Sequence, residues 1–373
     1  MINQITFDPD KFGYYQAGNY KTFSKFEAIE VGRKLGEDSR WNFNDDVFSQ
    51  FNWTVEPPGD IWTMYKERAK QIRESYDYVV LAYSGGSDSH NILNAWVEAD
   101  CKIDEILSFW NYEGSDNYQS FMNAEVTNVV IPDIQKLRDR GLDFQFRLVD
   151  TSKFSIEVMH RYGLDYEYNA NYHFTPNNPA KSLFREQIVD YANLISSGKK
   201  MCIVWGLEKP TIEFDGTRHY FQFKDIIDMA VPPYVQRKND DGWYDELFYW
   251  TPDFPLLPIK AAHLIKKFLE TCNDPTYYQN SRSHRGYNKV LNQYLTESAV
   301  KTIIYPRWDN NIFCNGKANS FIFSIRDTWF LDSNLSEKDW YKSMVYSVVR
   351  NAGTEWFAGQ NVKLHGSKKY YLE

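Results

Sequence analysis

The sequence predicts an α/β protein built on a parallel, doubly wound sheet, and three observations support this fold class. Short β-prone runs recur along the chain, at 78–83, 104–111, 144–150 and 201–206. Stretches with apolar residues at helical spacing separate these runs. A glycine turn joins the first run to the helix pattern that follows it. Strands that alternate with helices imply parallel pairing through right-handed crossovers.

The glycine turn and its two flanking elements form a layout that binds phosphate. Gly85 and Gly86 let the backbone approach an anion closely, and the following helix offers N–H groups and a positive dipole end. Ser84 and Ser89 add hydroxyl donors, and Asp88 is placed to hold Mg²⁺ against phosphate oxygens. An ordinary Ser/Gly turn between a strand and a helix is the alternative interpretation.

The same turn carries a family resemblance. The hexamer resembles the SGGxDS signature of the PP-loop ATP pyrophosphatase superfamily, which includes the asparagine, GMP and NAD synthetases; it reads Ser84-Gly85-Gly86-Ser87-Asp88-Ser89. No Gly-Lys-Ser/Thr follows the glycines, so the turn is not a Walker A loop. The resemblance covers about Asp60 to Thr271 and is specific only at the hexamer. It implies an adenine nucleotide α-hydrolase-like fold in which these six residues bind ATP and Mg²⁺.

Two further strand ends match places where members of the superfamily bind ATP. Phe109 and Trp110 end the second predicted strand, near the position of the adenine, although plain strand packing explains them equally well. Gly206, Glu208 and Lys209 follow the fourth predicted strand. The resemblance makes Glu208 a candidate Mg²⁺ ligand and Lys209 a candidate phosphate partner. The alternative is a solvated Glu-Lys pair on a loop.

Lys260 is the last candidate from the resemblance. It ends the segment Pro255-Leu256-Leu257-Pro258-Ile259-Lys260, ahead of a helix predicted over 261–271. Several PP-loop synthetases place a basic residue near the ATP phosphates in this way. An exposed lysine on a proline-stiffened loop is the alternative.

The resemblance also implies a reaction. A carboxylate or amide oxygen of a substrate attacks the α-phosphorus of ATP, pyrophosphate leaves, and ammonia or an amine then displaces AMP. We therefore expect an asparagine synthetase-like ligase in which Asp88, Glu208 and Lys260 are the catalytic residues. A built-in glutaminase is not expected, because Ile2 stands where that domain has its cysteine. Two other classes stay open: a PP-loop enzyme that modifies a nucleobase in tRNA or DNA, and an ATP-binding protein without turnover.

The sequence also predicts how the chain is divided into regions. We expect a lead-in over residues 1–75 that packs on the core, a PP-loop ATP-binding domain over 76–235, and a mainly helical substrate or interaction region over 236–373.

The net charge of −8 argues against general electrostatic binding to nucleic acid, so a small-molecule or nucleobase acceptor is the expected partner. The four cysteines include no C-x-x-C pair, and no apolar run approaches membrane-spanning length, which favours a cytoplasmic protein. The sequence leaves oligomerisation open.

Overall fold

A computed structural model of the chain describes residues 9–23, 25–110, 125–151, 188–207, 212–225, 242–271, 300–309 and 365–372. The described part of the chain begins with a 3₁₀ turn, Pro9–Phe12. It continues with β1 (Tyr14–Ala17), β2 (Tyr20–Thr22), α1 (Lys25–Leu35), β3 (Arg40–Asn42) and the short α2 (Asp45–Phe48). The three strands form a small antiparallel sheet in the order β2-β1-β3.

The central part of the chain alternates helices and strands, as the sequence predicts. In order these are α3 (Ile61–Ser75), β4 (Tyr78–Ala82), α4 (Ser87–Glu98), β5 (Glu105–Trp110), a π-helical turn (Val126–Val130), α5 (Ile131–Asp139), β6 (Gln145–Asp150), α6 (Val189–Ser196) and β7 (Met201–Trp205). Asp60 caps α3 as expected, because its carboxylate accepts a hydrogen bond of 2.9 Å from the Thr63 backbone N–H.

The remaining elements extend the fold toward the C terminus. They are β8 (Ile212–Phe214), β9 (His219–Phe221), β10 (Trp243–Leu247), α7 (Leu256–Thr271), a helical stretch at 300–304 and β11 (Tyr370–Tyr371). The helix predicted over 261–271 begins earlier, at Leu256, because Pro258 lies in its first turn, where proline costs no helical hydrogen bond. None of the helices in the described ranges is long and apolar enough to span a bilayer.

Five strands form one parallel sheet in the order β10-β7-β4-β5-β6, which confirms the predicted fold class. The chain first builds outward from β4 through β5 to β6, and then crosses to the other side of β4 to add β7 and β10. The strand order therefore reverses between β4 and β7. In open α/β sheets, ligands bind at the carboxyl ends of the strands at such a switch point.

Helices cover both faces of this sheet. The pairing register places Glu105 of β5 on one face and Glu246 of β10 on the other. Glu105 accepts a hydrogen bond from Tyr191 of α6, whereas Glu246 binds Arg68 of α3. Since α3 and α6 lie on opposite faces, the sheet is doubly wound. Its central strands are accordingly buried, β7 along its whole length and β4 at its three middle residues.

The chain upstream of α3 is joined to the sheet by buried charges. Lys11 lies 2.7 Å from a carboxylate oxygen of Glu246 and 2.7 Å from one of Asp253, and Arg68 lies 2.6 Å from the other oxygen of Glu246. All four side chains are at most 3% exposed. The two cations balance the two carboxylates, so the network avoids the cost of an isolated buried charge.

A third sheet lies beside this junction. It has the order β11-β9-β8 and brings the C-terminal strand against residues upstream of α3. Trp53 stacks on Tyr370 of β11 at 4.5 Å and on Phe221 of β9 at 5.2 Å. These aromatic contacts account for part of the high aromatic content of the chain.

Candidate functional site

The glycine turn lies at the switch point of the sheet. β4 ends at Ala82, and Tyr83 continues beside β5 through a 2.8 Å hydrogen bond from its N–H to the Leu107 carbonyl. Gly85 then takes a positive φ of +79°, a conformation that favours glycine. Gly86 is the N-cap residue of α4, so no side chain caps this helix. An N-terminus without a side-chain cap leaves first-turn N–H groups to other acceptors.

Two serines brace the turn from inside. The Ser89 hydroxyl donates to the Gly86 carbonyl at 3.1 Å and accepts from the Ser84 N–H at 3.1 Å. The Ser84 hydroxyl oxygen accepts from the Gly86 N–H at 3.3 Å and lies 3.2 Å from the Ser89 hydroxyl. These bonds fix the turn as a compact hydroxyl-lined loop at the start of α4.

The two glycines have different surroundings. A Cβ on Gly85 would lie 3.1 Å from the Glu125 carbonyl oxygen and 3.1 Å from Val130, in the π-helical turn before α5. A Cβ on Gly86 would meet only the Ser84 hydroxyl, at 3.3 Å, among the described atoms. Gly85 is therefore needed for packing, whereas Gly86 leaves room beside the helix N-terminus. π-helical turns such as this one occur frequently at functional sites.

Gly206 lies directly across the switch point. It follows β7, and a Cβ on it would lie 3.1 Å from the Ser89 backbone nitrogen and 3.1 Å from Ile92. The structure therefore brings Gly206 together with the predicted loop. Glu208 and Lys209 lie outside the described residues, so their assignments stay predictions.

Asp88 lies in the first turn of α4 and is held by two buried tyrosines. The Tyr305 hydroxyl donates to its Oδ1, and the Tyr249 hydroxyl donates to its backbone carbonyl at 2.7 Å. Asn91, one helical turn on, donates from Nδ2 to the Tyr249 hydroxyl at 3.0 Å. Burial, with the nearby Asp88 carboxylate adding to it, raises the pKa of Tyr305 well above its usual range. This phenol stays protonated and is a constant hydrogen-bond donor to Asp88.

Sequence reasoning did not find these tyrosines. Tyr305 is 217 positions from Asp88 and Tyr249 is 161 positions away, and neither has a local pattern around it that marks a role. The chain has 27 tyrosines, so residue type alone does not single them out. Only the three-dimensional fold brings them to α4.

The predicted adenine side is an aromatic strand end. Phe109 of β5 and Trp205 of β7 are stacked, with parallel rings and centroids 6.5 Å apart. The indole N–H of Trp205 donates to Asp245 at 2.6 Å, which fixes the orientation of its ring. Trp110 continues the strand, and its carbonyl accepts from the Thr151 N–H at 3.0 Å. Phe109 is thus joined across the switch point to the end of β7, next to Gly206.

Lys260 does not contact the loop. It lies within α7, where its ammonium group binds a Glu56 carboxylate oxygen at 2.6 Å and the Pro57 carbonyl at 3.1 Å. Its side chain is 9% exposed. The lysine is therefore neither an exposed lysine nor part of a loop, and its assignment as a residue near phosphate stays a prediction without a described contact to the turn.

A polar cluster centred on Asp133, here called the Asp133 cluster, flanks the loop on the side of α5. The Tyr83 hydroxyl donates to Asp133 at 2.6 Å and lies 3.1 Å from Nδ1 of His90. Lys136 binds the second oxygen of Asp133 at 3.0 Å. Burial alone would raise the pKa of Asp133, but the bonds from His90, Tyr83 and Lys136 outweigh it and lower the pKa to about 2. Asp133 is therefore an anion throughout the physiological range.

The donor set at the loop suits a magnesium–phosphate complex. Among the described residues, no group of three His, Cys, Asp or Glu side chains could hold a metal ion. Mg²⁺ with a nucleotide needs no such group, because one or two carboxylates, phosphate oxygens and water complete its six positions. Asp88 at an N-terminus without a side-chain cap supplies a carboxylate of this kind.

Comparison with known proteins finds similarity to solved structures, but not to family models or curated sequences. No protein-family model matches the chain, and no curated protein sequence matches it. A solved structure of an NH3-dependent NAD synthetase from Campylobacter jejuni subsp. jejuni NCTC 11168, in complex with the nitrate ion, is similar with a TM-score of 0.30 and 13% sequence identity. The match covers 68% of this chain and 90% of that chain. The fold assignment rests on the strand order and pairing described above.

Proposed function

We propose that the protein binds ATP with Mg²⁺ at the turn 84–89 and is an AMP- and pyrophosphate-forming ligase. One observation carries this proposal: α4 begins at Ser87, with Gly86 as its N-cap residue and no side-chain cap, at the point where the strand order reverses between β4 and β7. A helix N-terminus of the kind that binds anions therefore lies where open α/β sheets bind their ligands. The similarity of residues 84–89 to the SGGxDS signature supports ATP as the anion.

The loop residues would divide the binding of ATP between them. First-turn N–H groups of α4 and the hydroxyl of Ser84 would bind the β- and γ-phosphates, and Gly86 gives them room. Ser89 would hold the turn in shape through its hydrogen bonds to Ser84 and Gly86. Asp88 would bind Mg²⁺, which lowers the charge on the phosphate oxygens when it is bound. Phe109 would contact the adenine from the end of β5. Glu208 and Lys209, beyond Gly206, are proposed to line the opposite wall.

The proposed reaction follows from the proposed binding of the β- and γ-phosphates by the loop. A loop that binds the β- and γ-phosphates holds the leaving group and leaves the α-phosphorus open to attack. An oxygen of a substrate carboxylate or amide forms a bond to the α-phosphorus, and the bond to the bridging oxygen breaks with pyrophosphate taking the electron pair. Ammonia or an amine then attacks the activated carbon, AMP leaves, and the nitrogen loses a proton. Neither step needs an oxidant, a reductant or another co-substrate.

This proposal does not depend on Lys260 as a phosphate-binding residue. Its ammonium group would have to leave Glu56 to reach a phosphate, and breaking a largely buried pair costs free energy. We therefore propose the loop and Asp88, rather than Lys260, as the first residues to test.

The proposal is tested by the products formed from ATP. The purified protein is incubated with Mg²⁺·ATP and pools of amino acids, nucleosides or nucleic acids, and exchange of labelled pyrophosphate into ATP is measured. We expect AMP and pyrophosphate in the active pool, and ADP as the main product would contradict the proposal. Ser84→Ala should slow exchange at least about 10-fold, since it removes a donor to the leaving group. Ser197→Ala, at the far end of the sheet, is the matched control and should have the parent rate.

A further inference from the structure

The segment 300–309 lies along α4 and contacts it in both its first and last turns. Tyr305 donates to Asp88 in the first turn, and the Trp308 ring lies edge-on to His90 at 5.7 Å. Arg307 forms a bond of 2.8 Å to Glu98 in the last turn. A short stretch far along the chain is therefore seated on the helix that begins the proposed ATP site.

The contact to Asp88 is part of a buried tyrosine cluster, Tyr65, Tyr249 and Tyr305. Their ring centroids lie 5.6 Å apart for Tyr65–Tyr249 and for Tyr249–Tyr305, and 6.4 Å apart for Tyr65–Tyr305. The three side chains are 1%, 3% and 0% exposed. Such closely packed rings have little freedom to change rotamer, so their hydroxyls are fixed in place.

Each hydroxyl of the tyrosine cluster donates to a different group. Tyr305 donates to the Asp88 carboxylate, Tyr249 to the Asp88 backbone carbonyl, and Tyr65 to the Ile304 carbonyl at 2.8 Å. Of these three described tyrosines, only Tyr305 binds the Asp88 carboxylate, which is the group that would meet a metal ion. A hydrogen bond from a fixed donor sets the orientation of a carboxylate and, in metal sites, such outer contacts tune the affinity of the ligand.

We propose that Tyr305 is a positioning residue that orients the Asp88 carboxylate for Mg²⁺·ATP, so that residues 300–309 complete the nucleotide site. This inference rests on the proposed function of the loop. It assigns a role to a part of the chain that lies outside the region of family resemblance. It also makes the metal-dependent part of ATP binding depend on a residue that does not touch the nucleotide.

Two conservative variants separate this role from a purely structural one. Tyr305→Phe and Tyr65→Phe each keep the buried ring and remove one hydroxyl. Calorimetry measures ATP binding by each variant with and without Mg²⁺, and thermal unfolding checks that each is folded. We expect Tyr305→Phe to weaken Mg²⁺-dependent binding about 10-fold or more. Its metal-free binding should stay within about twofold of the parent, and Tyr65→Phe should keep the parent's full Mg²⁺ dependence.

The outcomes distinguish the inference from the proposed function. If the parent shows no Mg²⁺-dependent ATP binding, the proposed function fails and this inference fails with it. If the parent shows it and Tyr305→Phe behaves like Tyr65→Phe, only the inference is overturned. A second measurement needs no variant: hydrogen exchange of the parent should slow at 300–309 more with Mg²⁺·ATP than with metal-free ATP. Equal protection in the two states would overturn the role of Tyr305 even if its variant did not fold.

Discussion

The two ends of the parallel sheet are built from different chemistry. At the amino end, carboxylates lie among cations and phenols of the protein itself. At the carboxyl end, the chain places glycines and small hydroxyl residues around a helix N-terminus without a side-chain cap. The first end meets its polar requirements within the fold, whereas the second offers donors that a ligand can use.

The amino end is organised around Glu105, which is fully buried. Its carboxylate accepts from Arg147 at 2.8 Å, from Tyr191 at 2.5 Å and from Tyr78 at 3.0 Å. Arg147 also binds Asp190 at 3.0 Å. Burial alone would lower the pKa of Arg147, but its bonds to the two carboxylates outweigh burial and raise it. This network stabilises the start of β5 and β6 and holds α6 in place.

The carboxyl end uses similar hydrogen bonds for a different result. Ser84, Ser89 and the backbone of Gly86 bond to one another, which shapes the turn without a charged partner among these three residues. The buried charges around Glu105 are thus matched within the protein, whereas the turn 84–89 places glycines, hydroxyl groups and the Asp88 carboxylate at the switch point. We propose this turn, and not the charge network, as the place for a ligand.

The largest expected effect comes from breaking the amino-end network. Arg147→Met leaves the buried Glu105 carboxylate without its cation, which should lower the free energy of unfolding by about 2–3 kcal/mol. This is less than for a fully buried pair, because the Arg147 side chain is 20% exposed. Urea unfolding measures the loss, and ATP affinity of the folded protein should not change. Arg138→Met, an exposed control, should shift stability by less than about 0.5 kcal/mol; equal losses in the two variants would contradict the role of the network.

The second prediction separates the two glycines of the turn. Gly86→Ala keeps an ordinary φ of −77° and should leave stability nearly unchanged, while its methyl group against the phosphates weakens ATP binding about 10-fold or more. Gly85→Ala forces alanine to φ +79° and toward the Glu125 carbonyl, which should cost about 1–3 kcal/mol of stability. Calorimetry and thermal unfolding of both variants test this contrast. Unchanged ATP affinity in Gly86→Ala would place the phosphates elsewhere.

The smallest expected effect concerns the Asp133 cluster beside the loop. The pKa of Asp133 is lowered to about 2, so its ionised form stabilises the folded state above the unfolded pKa of about 4, and this contribution is lost as pH falls toward 2. Asp133→Asn should therefore cost about 1 kcal/mol near pH 7, after allowance for solvent screening, and almost nothing near pH 2. Unfolding of both proteins across this pH range measures the difference. A gap that is constant with pH would contradict the ionic role of Asp133.

Much of the fold could be predicted because its signals are local. The strand found at Tyr78–Ala82 and the one at Met201–Trp205 are apolar runs of the predicted kind, and the loop between β4 and α4 is a contiguous motif. The partners of Asp88 could not be predicted in this way. Tyr305 reaches it only through the packing of 300–309 on α4, a long-range contact that leaves no periodic trace in the sequence.

Lys260 also shows that local sequence does not determine which distant side chain a residue contacts. Its local segment resembles one that places a lysine near phosphate, yet Glu56 lies 204 positions away and takes up the ammonium group. The helix around Lys260 can be predicted to begin at Leu256 only if Pro258 is placed in its first turn, where proline is tolerated. Which charges meet in the folded protein depends on contacts between distant segments.

Hydrogen exchange of the whole protein with and without Mg²⁺·ATP tests the central claim most directly, since it reads both ends of the sheet in one experiment. The account predicts slower exchange in peptides that cover residues 84–92, at the turn and the start of α4. It predicts unchanged exchange at the amino-end network around Glu105 and Arg147. Protection at the amino end, or none at the turn while ATP is bound, would contradict the assignment of the carboxyl end as the ATP site.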